Sequence, residues 1–191
     1  MATPPTNPSP DLRPLPTDGS TYRKAAVLLL IFPRGDVDYI VFTRRTNNVE
    51  HHKGQISLPG GSQDPEDADM TATALREAYE ELGLDSALVD VAAIMDDVYV
   101  PVSGFVITPV IARLKADALE GGVAFHPNPH EVAEVIEVPL DALRDAATHR
   151  TELRTVNGVT HNIHYYTYGP YEIWGATGRI IYEFLLENYE Q

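Results

Sequence analysis

Apolar positions change their period along this chain, and the changes mark the elements. Residues 24–32 are a nearly continuous apolar run closed by Pro33 and Gly35, which predicts a buried strand. Residues 38–44 read as its partner across a turn at 33–36, and 55–58 as a short strand leading into Gly60 and Gly61. Asp64 and Pro65 pair a capping acid with a proline, a start signal for a helical turn. From Met70 to Leu82 apolar positions fall at 71 (the threonine methyl), 74, 75, 78 and 82, a core-facing helical stripe that Gly83 terminates. Residues 89–95 and 105–114 read as strands joined by a loop holding Tyr99, Pro101 and Gly104. Residues 131–138 alternate acid and apolar side chains, and 139–146 make a short helix. A hairpin is predicted for 151–156 and 161–168 around Asn157-Gly158. The stripe at 173, 174, 177, 180, 181, 184 and 185 predicts a closing C-terminal helix. Strands and helices interleave, but hairpins occur too, so a mixed sheet packed between helices is expected.

Composition narrows the class. The 191 residues suffice for one domain with a proper core. Residues 1–20 contain six prolines and few large apolar side chains, so they read as a loose tail before a domain at 21–191. With no cysteine, disulfides, thiolate zinc sites and thiol catalysis are excluded, and a reducing compartment, the cytoplasm, is expected. The longest apolar run is too short to span a bilayer, and no signal peptide is recognised. A formal net charge of −14 disfavours a nucleic-acid groove, although a small phosphorylated ligand could still bind beside a metal ion.

The chemistry concentrates in Arg76-Glu77-Ala78-Tyr79-Glu80-Glu81-Leu82-Gly83-Leu84. On a helix, the carboxylates of Glu77, Glu80 and Glu81 share one face within about 100° of arc, where like charges repel by roughly 0.2–0.5 kcal/mol per pair. A hard divalent cation removes that penalty, and magnesium held by few protein ligands commonly also holds substrate phosphates. Gly60-Gly61 would let backbone approach such a ligand closely. Arg44, Arg45, His51, His52 and Lys53 form a local basic stretch, read either as a solvated loop or as phosphate contacts. Tyr165, Tyr166 and Tyr168 could stack on a base or simply pack the hairpin, and Trp174 is read as core.

The unit from Gly60 to Leu84 resembles the Nudix box, G-x5-E-x7-R-E-U-x-E-E-x-G-U with U apolar. The second half matches almost residue for residue. In the first half, fourteen residues separate Gly61 from Arg76 where the pattern has thirteen, and the upstream glutamate position falls at Ala68, beside Asp67. Phe42-Thr43-Arg44-Arg45, the segment from His52 to Gly61, Glu131-Val132, Val138-Pro139-Leu140 and Ile173-Trp174-Gly175-Ala176-Thr177 are similar to the coenzyme A diphosphatase branch of that family. One departure is Glu50, which stands where the branch pattern has an arginine.

The resemblance implies an α+β fold, a Nudix-type α/β/α sandwich with a mixed β-sheet between helices. It implies hydrolysis of the diphosphate of coenzyme A or acyl-CoA to 3′,5′-ADP and 4′-phosphopantetheine, with Mg2+ or Mn2+ as cofactor. Another nucleoside diphosphate derivative, ADP-ribose or NADH, is the alternative substrate, and a non-catalytic nucleotide-binding module the alternative class. The related isopentenyl diphosphate isomerase chemistry needs a cysteine that this chain lacks. By the same resemblance the metal ligands are Glu77, Glu80, Glu81 and Gly61, and the catalytic residues Glu77, Arg76 and Glu80. Arg76 would orient a catalytic carboxylate, and the base would be Glu77 or a later glutamate such as Glu131 or Glu134. Substrate contacts are expected from Arg45, His52, Lys53 and Gln55, with homodimerisation left open.

Overall fold

The structure, a computed structural model, describes residues 22–46, 54–115, 125–156 and 159–187. Its centre is β1 (Arg23–Arg34), the predicted apolar run. Leu28, Leu29, Leu30 and Phe32 are fully buried, because β1 has neighbours on both edges and helices on both faces. Burial of each large side chain there is worth about 1.5–3 kcal/mol. Along one edge β1 runs parallel to β7 (Phe105–Leu114). Along the other it pairs antiparallel with β2 (Val37–Arg45) at its end and with β4 (Gly60–Ser62) at its start. Beyond β2 lie β3 (Ile56–Ser57) and β8 (Val132–Pro139), and beyond β7 lie β5 (Val89–Ile94) and β6 (Val98–Val100). One parallel pair within an otherwise antiparallel eight-stranded sheet makes the expected mixed sheet.

Side chains alternate across that sheet and divide the core in two. Ala26, Leu28, Leu30 and Phe32 pack with Ala74, Ala78 and Leu82 of α1 (Met70–Leu82). Leu29 and Ile31 face the other way. There they join Leu140 and Leu143 of α2 (Leu140–Arg144) and Ile180, Ile181 and Phe184 of α3 (Gly175–Glu187). A second, three-stranded sheet of β9 (His149–Val156), β10 (Val159–Tyr168) and β11 (Tyr171–Ile173) lies on the α3 side. His149, His164 and Tyr182 stack where that sheet meets α3.

Several expectations change in detail. The loop holding Tyr99 contains strand β6, paired with the start of β7. Ile173 belongs to β11, so the last helix starts at Gly175 rather than 173. Asp64-Pro65 forms a turn closed by the Asp67 N–H donating to the Asp64 carbonyl, and Asp69 caps α1 instead by accepting from the Ala72 N–H at 2.8 Å. Trp174 is not core: it is 39% exposed. Tyr165 and Tyr166 are buried, the hairpin-packing alternative. The Asn157-Gly158 turn lies outside the described residues.

Candidate functional site

Two glycines set the distance between α1 and the sheet. At Gly60 φ is +153°, and a Cβ would sit 2.3 Å from the Ala26 carbonyl oxygen. At Gly61 a Cβ would lie 2.5 Å from the Glu77 carboxylate. Bare backbone in β4 therefore leaves room for the Glu77 head group. One turn further along α1, Glu81 Oε2 accepts from the Gly60 N–H at 3.3 Å. The helix holds its register through the Asp69 cap and through Gly83, whose left-handed φ of 66° lets its N–H close on the Tyr79 carbonyl at 2.8 Å.

These carboxylates sit in an unfavourable field. Glu81 is 2% exposed, and burial pushes its pKa up to about 8, against the opposing pull of Arg45 and the Gly60 N–H. Burial also raises Glu77, with Arg76 opposing and Glu80 and Glu131 adding to the rise. The Arg45 guanidinium stands 3.7 Å from Glu81 Oε1, too far for a hydrogen bond, and its buried Nε has no partner among the described residues.

Arg76 is fully engaged. Nε and Nη2 donate to the two oxygens of Asp67 at 3.0 Å each, Nη2 also donates to the Ser62 carbonyl, and Nη1 reaches Glu77 and Glu80. Asp67, which also accepts from Thr73 Oγ1, is held down to about 2, with the Arg76 hydrogen bond as the largest cause. The clamp ties the loop between β4 and α1 to the first turns of the helix. Sequence spacing pointed to the gap left by Ala68; the acid that grips the arginine is its neighbour Asp67. Its signal was an acid directly beside the displaced position.

The three box glutamates do not act as one face. Glu77 and Glu81 turn towards β4, while Glu80 is half-exposed and pairs with Arg76. Among the described residues no three His, Asp or Glu are gathered closely enough to hold an ion by themselves. The arrangement still suits magnesium, which takes few protein ligands and completes its shell with water and phosphate. Two carboxylates lifted by burial, Glu81 with its guanidinium 3.7 Å away and Glu77 sharing Arg76 with Glu80, in a space that a Cβ at 61 would fill, fit a hard divalent cation.

Of the other expected residues, Arg45 reaches Glu81, and Gln55 lines a cavity beside Trp174. His52 and Lys53, like Glu50, lie outside the described residues. Glu131 acts electrostatically on both Glu77 and Glu81. Glu134 is occupied elsewhere, accepting from Tyr171 Oη at 2.6 Å and pairing with Arg44 at 2.9 Å.

Comparison with known proteins bears on the whole arrangement. A family model described as NUDIX domain matches residues 21–156. The uncharacterised Nudix hydrolase NudL of Enterobacter sp. (strain 638) is 33% identical over 177 residues, covering 92% of this chain and 88% of that protein. Nudix hydrolase 15, mitochondrial, of Arabidopsis thaliana is 34% identical over 187 residues, covering 94% of this chain and 64% of that one. The crystal structure of the Nudix hydrolase RenU from M. smegmatis superposes with a TM-score of 0.52 at 26% identity, over 65% of this chain and 74% of that one.

Proposed function

This chain belongs to the Nudix family and is a Nudix hydrolase, and from that premise we propose that it hydrolyses the diphosphate bond of coenzyme A or acyl-CoA to 3′,5′-ADP and 4′-phosphopantetheine. The observation that carries the diphosphatase chemistry is the buried Glu77–Glu81 pair held against Gly60-Gly61. The coenzyme A assignment is supported by the similarity of residues 42–45, 52–61 and 173–177 to that branch.

Attack of water on a diphosphate needs its negative charge offset and an in-line nucleophile. Glu77 and Glu81, with Glu80 beside them and the backbone of Gly61, would hold Mg2+ or Mn2+, which supplies charge neutralisation and lowers the pKa of water. Arg76, fixed by Asp67, orients Glu77 and Glu80. Arg45, whose Nε has no partner among the described residues and whose Nη1 stands 3.7 Å from Glu81, would take a substrate phosphate oxygen. Gln55, His52 and Lys53 complete the substrate side. Glu77 and Glu131 are the candidate bases, and Glu134 is less suited because Arg44 and Tyr171 occupy it.

Glu50, standing where the branch pattern has an arginine, favours a second reading in which the same chemistry acts on ADP-ribose or NADH. The test is a magnesium-dependent assay on coenzyme A, acetyl-CoA, ADP-ribose, NADH and diadenosine polyphosphates, with products identified by mass. Release of 3′,5′-ADP from coenzyme A well above the other rates is expected. Preferential AMP release from ADP-ribose or NADH overturns the coenzyme A assignment and keeps the chemistry. Glu77→Gln should lower turnover by at least ~100-fold while retaining the fold; unchanged turnover would remove Glu77 from the chemistry.

A further inference from the structure

Residues 54–56 and the segment from Pro170 to Trp174, far apart in the chain, meet across a cavity of about 460 Å³. Its lining includes Arg44, Gln55, Glu134, Tyr171, Glu172 and Trp174. Arg44 of β2 lines it, and Arg45, next in the chain, stands 3.7 Å from Glu81.

The charge of the lining is selective. Among the described lining residues Arg44 is the one cation, and it is paired with Glu134 at 2.9 Å, which also accepts from the Tyr171 hydroxyl. Glu172 is likewise paired, with Arg150 at 2.7 Å. A phosphate entering here would meet no unpaired cation among the described lining residues and two carboxylates that already hold their guanidinium partners. An uncharged group with hydrogen-bond donors would find carboxylate acceptors.

Trp174 provides the apolar surface. Its indole, 39% exposed, is stacked against Tyr165 with ring centroids 5.9 Å apart and planes 15° apart, and the Arg154 guanidinium lies 5.9 Å from its centroid. A large aromatic held on one side and open to a polar cavity suits a flat or extended organic group.

We infer that this cavity is the specificity pocket for the uncharged organic limb of the substrate, the part beyond the diphosphate that bears no further phosphate. This rests on the reading that the Glu77–Glu81 pair works on a diphosphate.

Trp174 is the chain's one tryptophan, so its fluorescence reports the pocket directly. The full chain, with chelator present, would be titrated with pantetheine, adenosine and 3′,5′-ADP. A saturable change with pantetheine or adenosine and none with 3′,5′-ADP is expected. A comparable response to 3′,5′-ADP, or none to either neutral fragment, overturns the inference. Glu172→Lys, an exposed position, should make the fluorescence responsive to 3′,5′-ADP; a variant that still ignores it refutes the charge argument. Trp174→Leu should raise KM about tenfold for the preferred substrate with kcat nearly unchanged. If hydrolysis proceeds but this variant leaves KM unchanged for every substrate, the pocket assignment falls alone. If neutral fragments bind but no diphosphate is cleaved, the diphosphatase reading falls instead.

Discussion

Glu81 is the costliest residue of the site. A carboxylate of 2% exposure, with its nearest guanidinium 3.7 Å away, stays protonated until well above the usual range. Unfolding returns it to an ordinary carboxylate that ionises near pH 4.5. Its contribution to stability is therefore complete below about pH 4.5 and is lost as the pH rises through about 8. Metal-free protein should lose several degrees of melting temperature between those limits, since ~1 kcal/mol moves the midpoint of a chain this size by ~2–4 °C. Glu81→Gln should flatten that slope, as should added magnesium. Melting curves at several pH values, with and without the ion, check this; a slope that survives in the variant would locate the titration elsewhere. Asp67 behaves oppositely: its stabilisation is present above the ordinary carboxylate range and fades only as the pH falls towards 2. The box acids and Arg76 were legible from their i, i+3, i+4 spacing. Their division into Glu77 and Glu81 facing β4 and Glu80 facing Arg76 was not, because a helical arc does not say which of its edges another strand will cover.

At the scale of elements, β4 and α1 are fitted to each other through backbone. Alanine at 60 would press on the Ala26 carbonyl in a strained conformation, whereas alanine at 61 would press on a movable carboxylate. Gly60→Ala should thus lower the melting temperature sharply. Gly61→Ala should leave the fold largely intact and reduce turnover about 100-fold by displacing Glu77. Paired melting and rate measurements decide it, and equal loss of stability in both variants would contradict the distinction. The helix α1 spans the predicted residues because its stripe, its stop at Gly83 and its length all agree. The strands β6 and β11 escaped sequence reading because three residues carry no period, and Ile173 continues the stripe of α3 by coincidence of spacing.

Over the whole molecule, the described sheet begins at β1, and its two cores hold α1 on one face and α2 and α3 on the other. We therefore propose that 21–191 is the hydrolase domain and expect a chain of those residues to fold and turn over substrate like the full protein. A truncated chain with a lower melting temperature or altered KM would assign residues 1–20 a part in the domain or the site. Among the described residues no helix is long and apolar enough to cross a membrane.

The family, the mixed sheet between helices and the acid-rich helix were determined by the sequence itself. Each is written in short-range patterns: an apolar run, a 3.6-residue stripe, a glycine at a helix end. Tertiary structure alone decided that Glu81 loses its water, that Arg45 becomes its distant counter-charge and that Asp67 holds Arg76 across the inserted residue. It also brought Trp174 to face Gln55 across a cavity. Burial and electrostatic partnership depend on segments distant in the chain that fold over a residue. Local periodicity sets which way a side chain points from its own helix or strand, and the packing of the other elements sets what it meets there.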